Sequence, residues 1–146
     1  MHHFFDLDAT LLDHAGSQRG GLAALSSFSP SLRPTVDDDL LRLWQAAETR
    51  HFSRFEQGEI SMSEQRRARL RECFPDPCST LNDEELDSLY AVYLKGYRSA
   101  WSLYPDTLPV LEQLSGPRAL ITNGDAKLQR AKIQCLGLQD LFQGIY

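Results

Sequence analysis

The sequence predicts an α/β protein: a parallel sheet whose first two strands are separated by a long, almost wholly helical insertion. Three observations carry that reading. Short apolar runs, Phe4-Phe5 and Arg118–Thr122, each lead into a polar turn, whereas the stretches between them place apolar residues at the helical repeat. Strand–helix–strand alternation in the last third of the chain argues for parallel strands. Thr122 lies 114 residues after Asp8, although a parallel crossover needs only about a dozen residues. The surplus, residues 15–101, is long enough to form a helical module of its own.

The elements follow in order. His2–Phe5 reads as a strand running into the Asp6-Leu7-Asp8 loop. His2 and His3 read as a solvated strand start rather than ligands, and regular structure is expected to pause at Asp13–Gly16. Leu40, Trp44, Ala47, Phe52 and Phe55 form a helical stripe that Gly58 ends. Asp37-Asp38-Asp39 before it cap free amides and oppose the helix dipole, a better account than a metal site. Ser61 with Glu64, and Asn82 with Glu85, have the form of capping boxes opening two more helices. The first of these carries Arg66, Arg67, Arg69 and Arg71, read as a solvated face, with recognition of an anionic leaving group as the alternative. The second carries the stripe Leu86, Leu89, Tyr90, Tyr93, Leu94, Tyr97 and Trp101. Cys73–Cys78 between them is a proline-punctuated loop whose cysteines, lacking a matching Cys or His pair, read as reduced thiols. Pro105-Asp106 opens a short helix that Gly116-Pro117 stops. Asn123-Gly124-Asp125 turns the next strand into a helix bearing Leu128, Ala131, Cys135 and Leu136, and Gly144–Tyr146 begins another strand.

Composition narrows the function classes. Of 146 residues, 42% are hydrophobic and 24% charged, which excludes a wholly disordered chain. Twenty acidic residues against 15 basic give a net charge of −5, the wrong sign for a dedicated nucleic-acid binder. No apolar run approaches the roughly 20 residues that span a bilayer, and the N-terminus lacks the form of a signal peptide. Three cysteines suit a reducing compartment. The expectation is a cytoplasmic protein without nucleic-acid or membrane partners.

Asp6-Leu7-Asp8 carries the chemistry. At the carboxyl end of a strand, where ligand sites of open α/β sheets lie, two carboxylates can converge on one point. Thr122-Asn123 occupies the equivalent end of the next strand, just before a helix N-terminus, and its hydroxyl, carboxamide and free backbone amides suit an anionic group. A carboxylate pair facing an anion pocket calls for a cation between them, and oxygen ligands beside a phosphate point to Mg²⁺. Taken alone, Asp-x-Asp is also compatible with a solvated turn.

Together these segments resemble the haloacid dehalogenase-like (HAD) hydrolase superfamily, in its helical-cap phosphatase branch. Residues 4–13, Phe-Phe-Asp-Leu-Asp-Ala-Thr-Leu-Leu-Asp, are similar to the first family motif, and Leu120-Ile121-Thr122-Asn123-Gly124-Asp125 to the second. Gly58-Glu59-Ile60-Ser61 and the segment from Tyr104 to Leu114 look like the branch with a cap after the first strand. The resemblance implies a partial Rossmann-like core, residues 1–14 and 102–146, with an inserted α-helical cap, residues 15–101. It implies that Asp6 attacks phosphorus to form an aspartyl-phosphate, and that Asp8 protonates the leaving oxygen and then activates water. Mg²⁺ would contact the Asp6 carboxylate and the Asp8 backbone carbonyl, and Thr122 and Asn123 would hold the phosphoryl oxygens. Ala9 stands where the family commonly has glycine or aspartate. Because halide leaves unprotonated, the second carboxylate, Asp8, favours phosphate-ester hydrolysis over dehalogenation. The implied activity is a Mg²⁺-dependent phosphatase of small phosphorylated metabolites.

The resemblance also marks what is missing. The family's third motif, a lysine, and its fourth, further metal-binding acids, normally lie downstream, yet only 23 residues follow Asn123. Lys127 and Lys132 come too early to match. Excluding the cap leaves 59 residues for the sheet domain, near the size at which cores become marginal. Relative to the family pattern the chain is therefore expected to be C-terminally truncated, with an open edge beside its first strand through which copies could associate. The alternative function is a catalytically inactive truncated homologue that binds a partner.

Overall fold

β1 (His3–Phe5), β2 (Arg118–Leu120) and β3 (Gly144–Ile145) form a parallel three-stranded sheet in the computed structural model, which describes residues 1–32 and 35–146. The strand order is β1-β2-β3, with Phe5 opposite Leu120 and Leu120 opposite Ile145. Five helices lie between β1 and β2 ahead of the short α6 (Thr107–Gln113): α1 (His14–Phe28), α2 (Asp38–Glu56), α3 (Met62–Cys73), α4 (Pro75–Cys78) and α5 (Asp83–Ser99). After β2 come α7 (Ala126–Cys135) and a 3₁₀ turn at Gln139–Leu141. This is the α/β architecture read from the sequence, a partial Rossmann-like parallel sheet with an inserted helical segment.

The chain divides into two compact units, residues 1–17 with 101–146, and residues 18–100. In the sheet unit the chain leaves and returns at one place. Leu12 bridges antiparallel to Leu103, Asp13 N–H donates to the Ser102 carbonyl (2.9 Å), and the Leu11 carbonyl accepts from Tyr104 N–H and Thr107 Oγ1 (both 3.0 Å). Leu7, Leu11, Leu12, Leu111, Leu120, Ile133, Leu138 and Phe142 form its core. Phe4 is 63% exposed on β1, whose outer edge pairs with no strand among the described residues.

In the helical unit, the Asp37 carboxylate caps α2 through Leu40 N–H (2.8 Å), and both capping boxes form, Ser61 with Glu64 and Asn82 with Glu85. Its centre is Trp44, fully buried, stacked on Tyr90 and donating Nε1–H to the Tyr93 hydroxyl (3.0 Å). No described helix is long and apolar enough to cross a membrane.

The structure corrects three readings. Where regular structure was expected to pause, at Asp13–Gly16, α1 begins. Its interior glycines are poor helix formers in isolation, but they serve close packing. A Cβ on Gly96 of α5 would stand 2.5 Å from the Gly20 carbonyl oxygen, and one on Gly21 would strike the Tyr93 ring at 2.4 Å. The Cys73–Cys78 loop holds a short helix, α4, begun by Pro75. The α3 arginines are not all a solvated face, although Arg71 is exposed. Arg67 donates to both oxygens of Asp87 (2.7 and 2.6 Å) and to Asp83 (2.6 Å), Arg71 pairs with Asp83, and the Arg66 guanidinium lies over the Tyr90 ring. Arg69 is 3% exposed, 4.4 Å from the Trp44 ring centroid, and paired with Glu48 at 3.0 Å. On α7, Leu128 and Ala131 are half-buried and Cys135 is exposed. The helix buries Gln129, Lys132 and Ile133.

All three cysteines are free thiols, with Cys73 and Cys78 buried and Cys135 exposed. Burial pushes the Cys73 thiol up to about 12 and raises that of Cys78. Ellman's reagent at pH 8 should therefore label one thiol per chain quickly, Cys135, and the other two only in denaturant. Rapid labelling of all three would contradict the packing around α3 and α4.

Candidate active site

The sheet brings the two functional segments to one rim. Because β1 and β2 are parallel and in register, both end at the same side, and the ladder continues one step further, with Ile121 N–H donating to the Phe5 carbonyl (2.8 Å). The Asp6 loop and the Thr122 turn are the next residues out on their respective strands.

Leu7 anchors the first loop. It is fully buried in the core, which leaves Asp6 exposed on one side and Asp8 half-buried on the other. Its carbonyl accepts N–H groups from Thr10 (3.4 Å), Leu11 and Leu12 (both 3.0 Å), closing a tight turn. That turn drives Ala9 to φ +60°, the left-handed region that a side chain disfavours by roughly 1–2 kcal/mol. Ala9→Gly should accordingly stabilise the sheet unit by about 0.5–1 kcal/mol, after the larger unfolded-state entropy of glycine is set against the strain. Thermal unfolding checks this; a lower melting temperature would show that the turn carries no strain.

The second segment is held by both neighbours. Thr122 N–H donates to the Tyr146 carbonyl (2.8 Å), and the Asp125 carboxylate caps α7 through Leu128 N–H (2.8 Å). Asn123 is exposed beside it. From α7, Gln129 Nε2 donates to Asp8 Oδ2 (2.9 Å) and to Thr122 Oγ1 (2.6 Å). Lys132 Nζ donates to both Asp8 oxygens (2.7 and 2.9 Å). Asp8 and Thr122 thus share one amide nitrogen. His14 Nδ1 stands 3.9 Å from Asp8 Oδ1.

Known structures match the fold over 99% of the chain. YfnB of Bacillus subtilis, assigned as a HAD-hydrolase and bound to magnesium, superposes with a TM-score of 0.76 at 18% identity, the chain covering 62% of it. The chain has the haloacid dehalogenase-like fold. L-2-haloacid dehalogenase from Xanthobacter autotrophicus matches with a TM-score of 0.67 at 18% identity and 55% coverage of that protein. 2-Haloacid dehalogenase from Pseudomonas syringae pv. Tomato DC3000 reaches 27% identity with a TM-score of 0.54 and 62% coverage. The chain therefore spans less than two thirds of the length of each of these HAD-like structures. No family model and no curated protein sequence matches it.

Within this HAD-like sheet the donor set can be tested for a metal. Among the described residues no group of three or more His, Cys, Asp and Glu side chains could hold one. What the rim offers is the exposed Asp6 carboxylate, with no hydrogen bond or ion pair among the described residues, and the Asp8 carbonyl, which takes no part in the loop's backbone hydrogen bonds. Two hard oxygens fit Mg²⁺, which keeps several waters and commonly takes only one or two carboxylates plus phosphate oxygens. Lys132 supplies a neighbouring positive charge.

Lys132 and Gln129 were not singled out as site residues in the sequence. Their i, i+3 spacing puts them on one face of α7, but in a helix of unknown placement a lysine and a glutamine read as solvent-facing. Lys127, the other lysine of α7, is exposed.

Proposed function

We propose that this chain carries the nucleophile, the acid–base group and the phosphoryl-binding residues of a HAD-type hydrolase, a cytoplasmic Mg²⁺-dependent phosphatase of small phosphorylated metabolites. The observation that supports this most directly is the single rim bearing the Asp6 loop and the Thr122 turn, with Asp8 and Thr122 joined through Gln129. In this reading an Asp6 carboxylate oxygen attacks phosphorus. The bond from phosphorus to the ester oxygen breaks, and protonated Asp8 delivers its proton to that leaving oxygen. Asp8, now a carboxylate, takes a proton from water as the water attacks the aspartyl-phosphate, which returns Asp6 and releases phosphate. The Thr122 hydroxyl and the Asn123 carboxamide donate to the phosphoryl oxygens, where charge develops. When bound to the Asp6 carboxylate and the Asp8 carbonyl, Mg²⁺ supplies charge neutralisation between carboxylate and phosphate.

The two dehalogenases above share the fold, but a second carboxylate two residues after the nucleophile is needed for a departing alkoxide and not for a halide. Turnover of p-nitrophenyl phosphate, measured with Mg²⁺ and with EDTA, tests the reading. Mg²⁺-dependent release of nitrophenolate is expected. Its absence, or release of halide from 2-haloacids in its place, would overturn the phosphatase reading.

A further inference from the structure

The buried face of α7 carries two polar side chains beside the core residue Ile133, and both donate to one carboxylate. Gln129 is 3% exposed and Lys132 2%. A buried ammonium is costly unless paired, and here both oxygens of Asp8 lie within 2.9 Å of Nζ. A carboxylate offers about four lone-pair positions. Lys132 takes two and Gln129 a third, leaving about one for a proton. The two Nε2 hydrogens of Gln129 are both spent, one on Asp8 and one on Thr122. Gly124 makes room for that amide, since a Cβ there would lie 2.7 Å from Gln129 Nε2.

We infer that Gln129 and Lys132 are positioning residues: they lock the Asp8 carboxylate in one orientation and set it beside the Thr122 hydroxyl before substrate arrives. This rests on the phosphatase reading for its catalytic consequence, but not for the lock itself. In this reading neither side chain contacts substrate; both bear on Asp8, the group that handles the proton. They act by fixing two groups that do contact substrate, and displacement of such groups by about 1 Å costs on the order of 10²-fold in rate.

Two measurements test the inference. In steady-state hydrolysis of p-nitrophenyl phosphate with Mg²⁺, Gln129→Leu, similar in volume and unable to donate, should lower kcat by about 10–100-fold with KM changed less than about threefold. Lys132→Arg, which keeps two donors for a carboxylate, should retain more of kcat than Lys132→Gln. A melting temperature measured alongside separates lost positioning from lost folding. Independently of activity, the Gln129 side-chain amide should give an NMR signal that exchanges slowly with water and shifts in both Thr122→Val and Asp8→Asn. Unchanged kcat in folded Gln129→Leu, or a fall confined to KM, would overturn the inference, as would a Gln129 amide exchanging as fast as an exposed one. If the wild-type protein hydrolyses nothing while the amide is protected and shifts as stated, the phosphatase reading fails and the lock stands.

Discussion

Asp8→Ala should cost the sheet unit about 3 kcal/mol of stability, more than any other single change considered at this rim. Removing one partner of a buried ion pair leaves the other uncompensated, a loss of about 3–5 kcal/mol. The lower end applies here because the Asp8 side chain is 28% exposed while Lys132 is only 2% exposed. Domains are stable by about 5–15 kcal/mol, and a sheet unit of residues 1–17 and 101–146 is small for burying a core. The variant should therefore unfold at markedly lower urea, followed by circular dichroism or tryptophan fluorescence. Asp8→Asn keeps an oxygen for Lys132 and Gln129 and should lose less. The double variant Asp8→Ala/Lys132→Met, which removes both charges, should recover most of the loss, because exchanging a whole buried pair for apolar groups is often neutral. A single Asp8→Ala within about 0.5 kcal/mol of wild type, with no recovery in the double variant, would mean that the pair is open to water in solution.

Asp6→Asn should do the opposite: abolish turnover and leave stability alone. Asp6 is exposed and has no hydrogen bond or ion pair among the described residues, and surface substitutions without partners generally change stability by less than about 0.5 kcal/mol. In the proposed mechanism Asp6 is the attacking group, so the covalent route depends on it. The carboxamide is a far weaker nucleophile, and loss of a nucleophile that acts as part of a unit can cost about 10³-fold or more in kcat. p-Nitrophenyl phosphate turnover should fall by at least about 10³-fold at an unchanged melting temperature. Residual turnover above about a tenth of wild type would remove Asp6 from the chemistry. The pair of variants separates two carboxylates that the sequence treats alike: Asp6 is exposed, whereas Asp8 is paired with a buried lysine.

That contrast shows where sequence reading reached and where it stopped. The strand ends were legible because Phe4-Phe5 and Ala119-Leu120 are short apolar runs flanked by turn residues, and backbone geometry turns such a pattern into a strand. The caps at Asp37, Ser61 and Asn82 were legible because each is settled within three residues. The insertion was legible by arithmetic, since 114 residues between two strand ends far exceed the dozen or so a crossover needs. The placement of Asp6 and Thr122 at one rim followed from parallel pairing alone.

The rest depended on partners far away in the chain. α1 contains Gly16, Gly20 and Gly21, which argue against a helix until the approach of Gly96 and Tyr93 makes small residues necessary. The α3 arginines look solvated until Asp83, Asp87 and Glu48 are folded against them. Lys132 meets Asp8 across 124 positions, and no local pattern marks a lysine whose burial is made tolerable by a carboxylate in another element. Local rules concern the backbone and its nearest neighbours, and they predict strands, caps and the rim. Which polar side chains may be buried is an electrostatic question, answered by whichever opposite charge the fold delivers to the same spot.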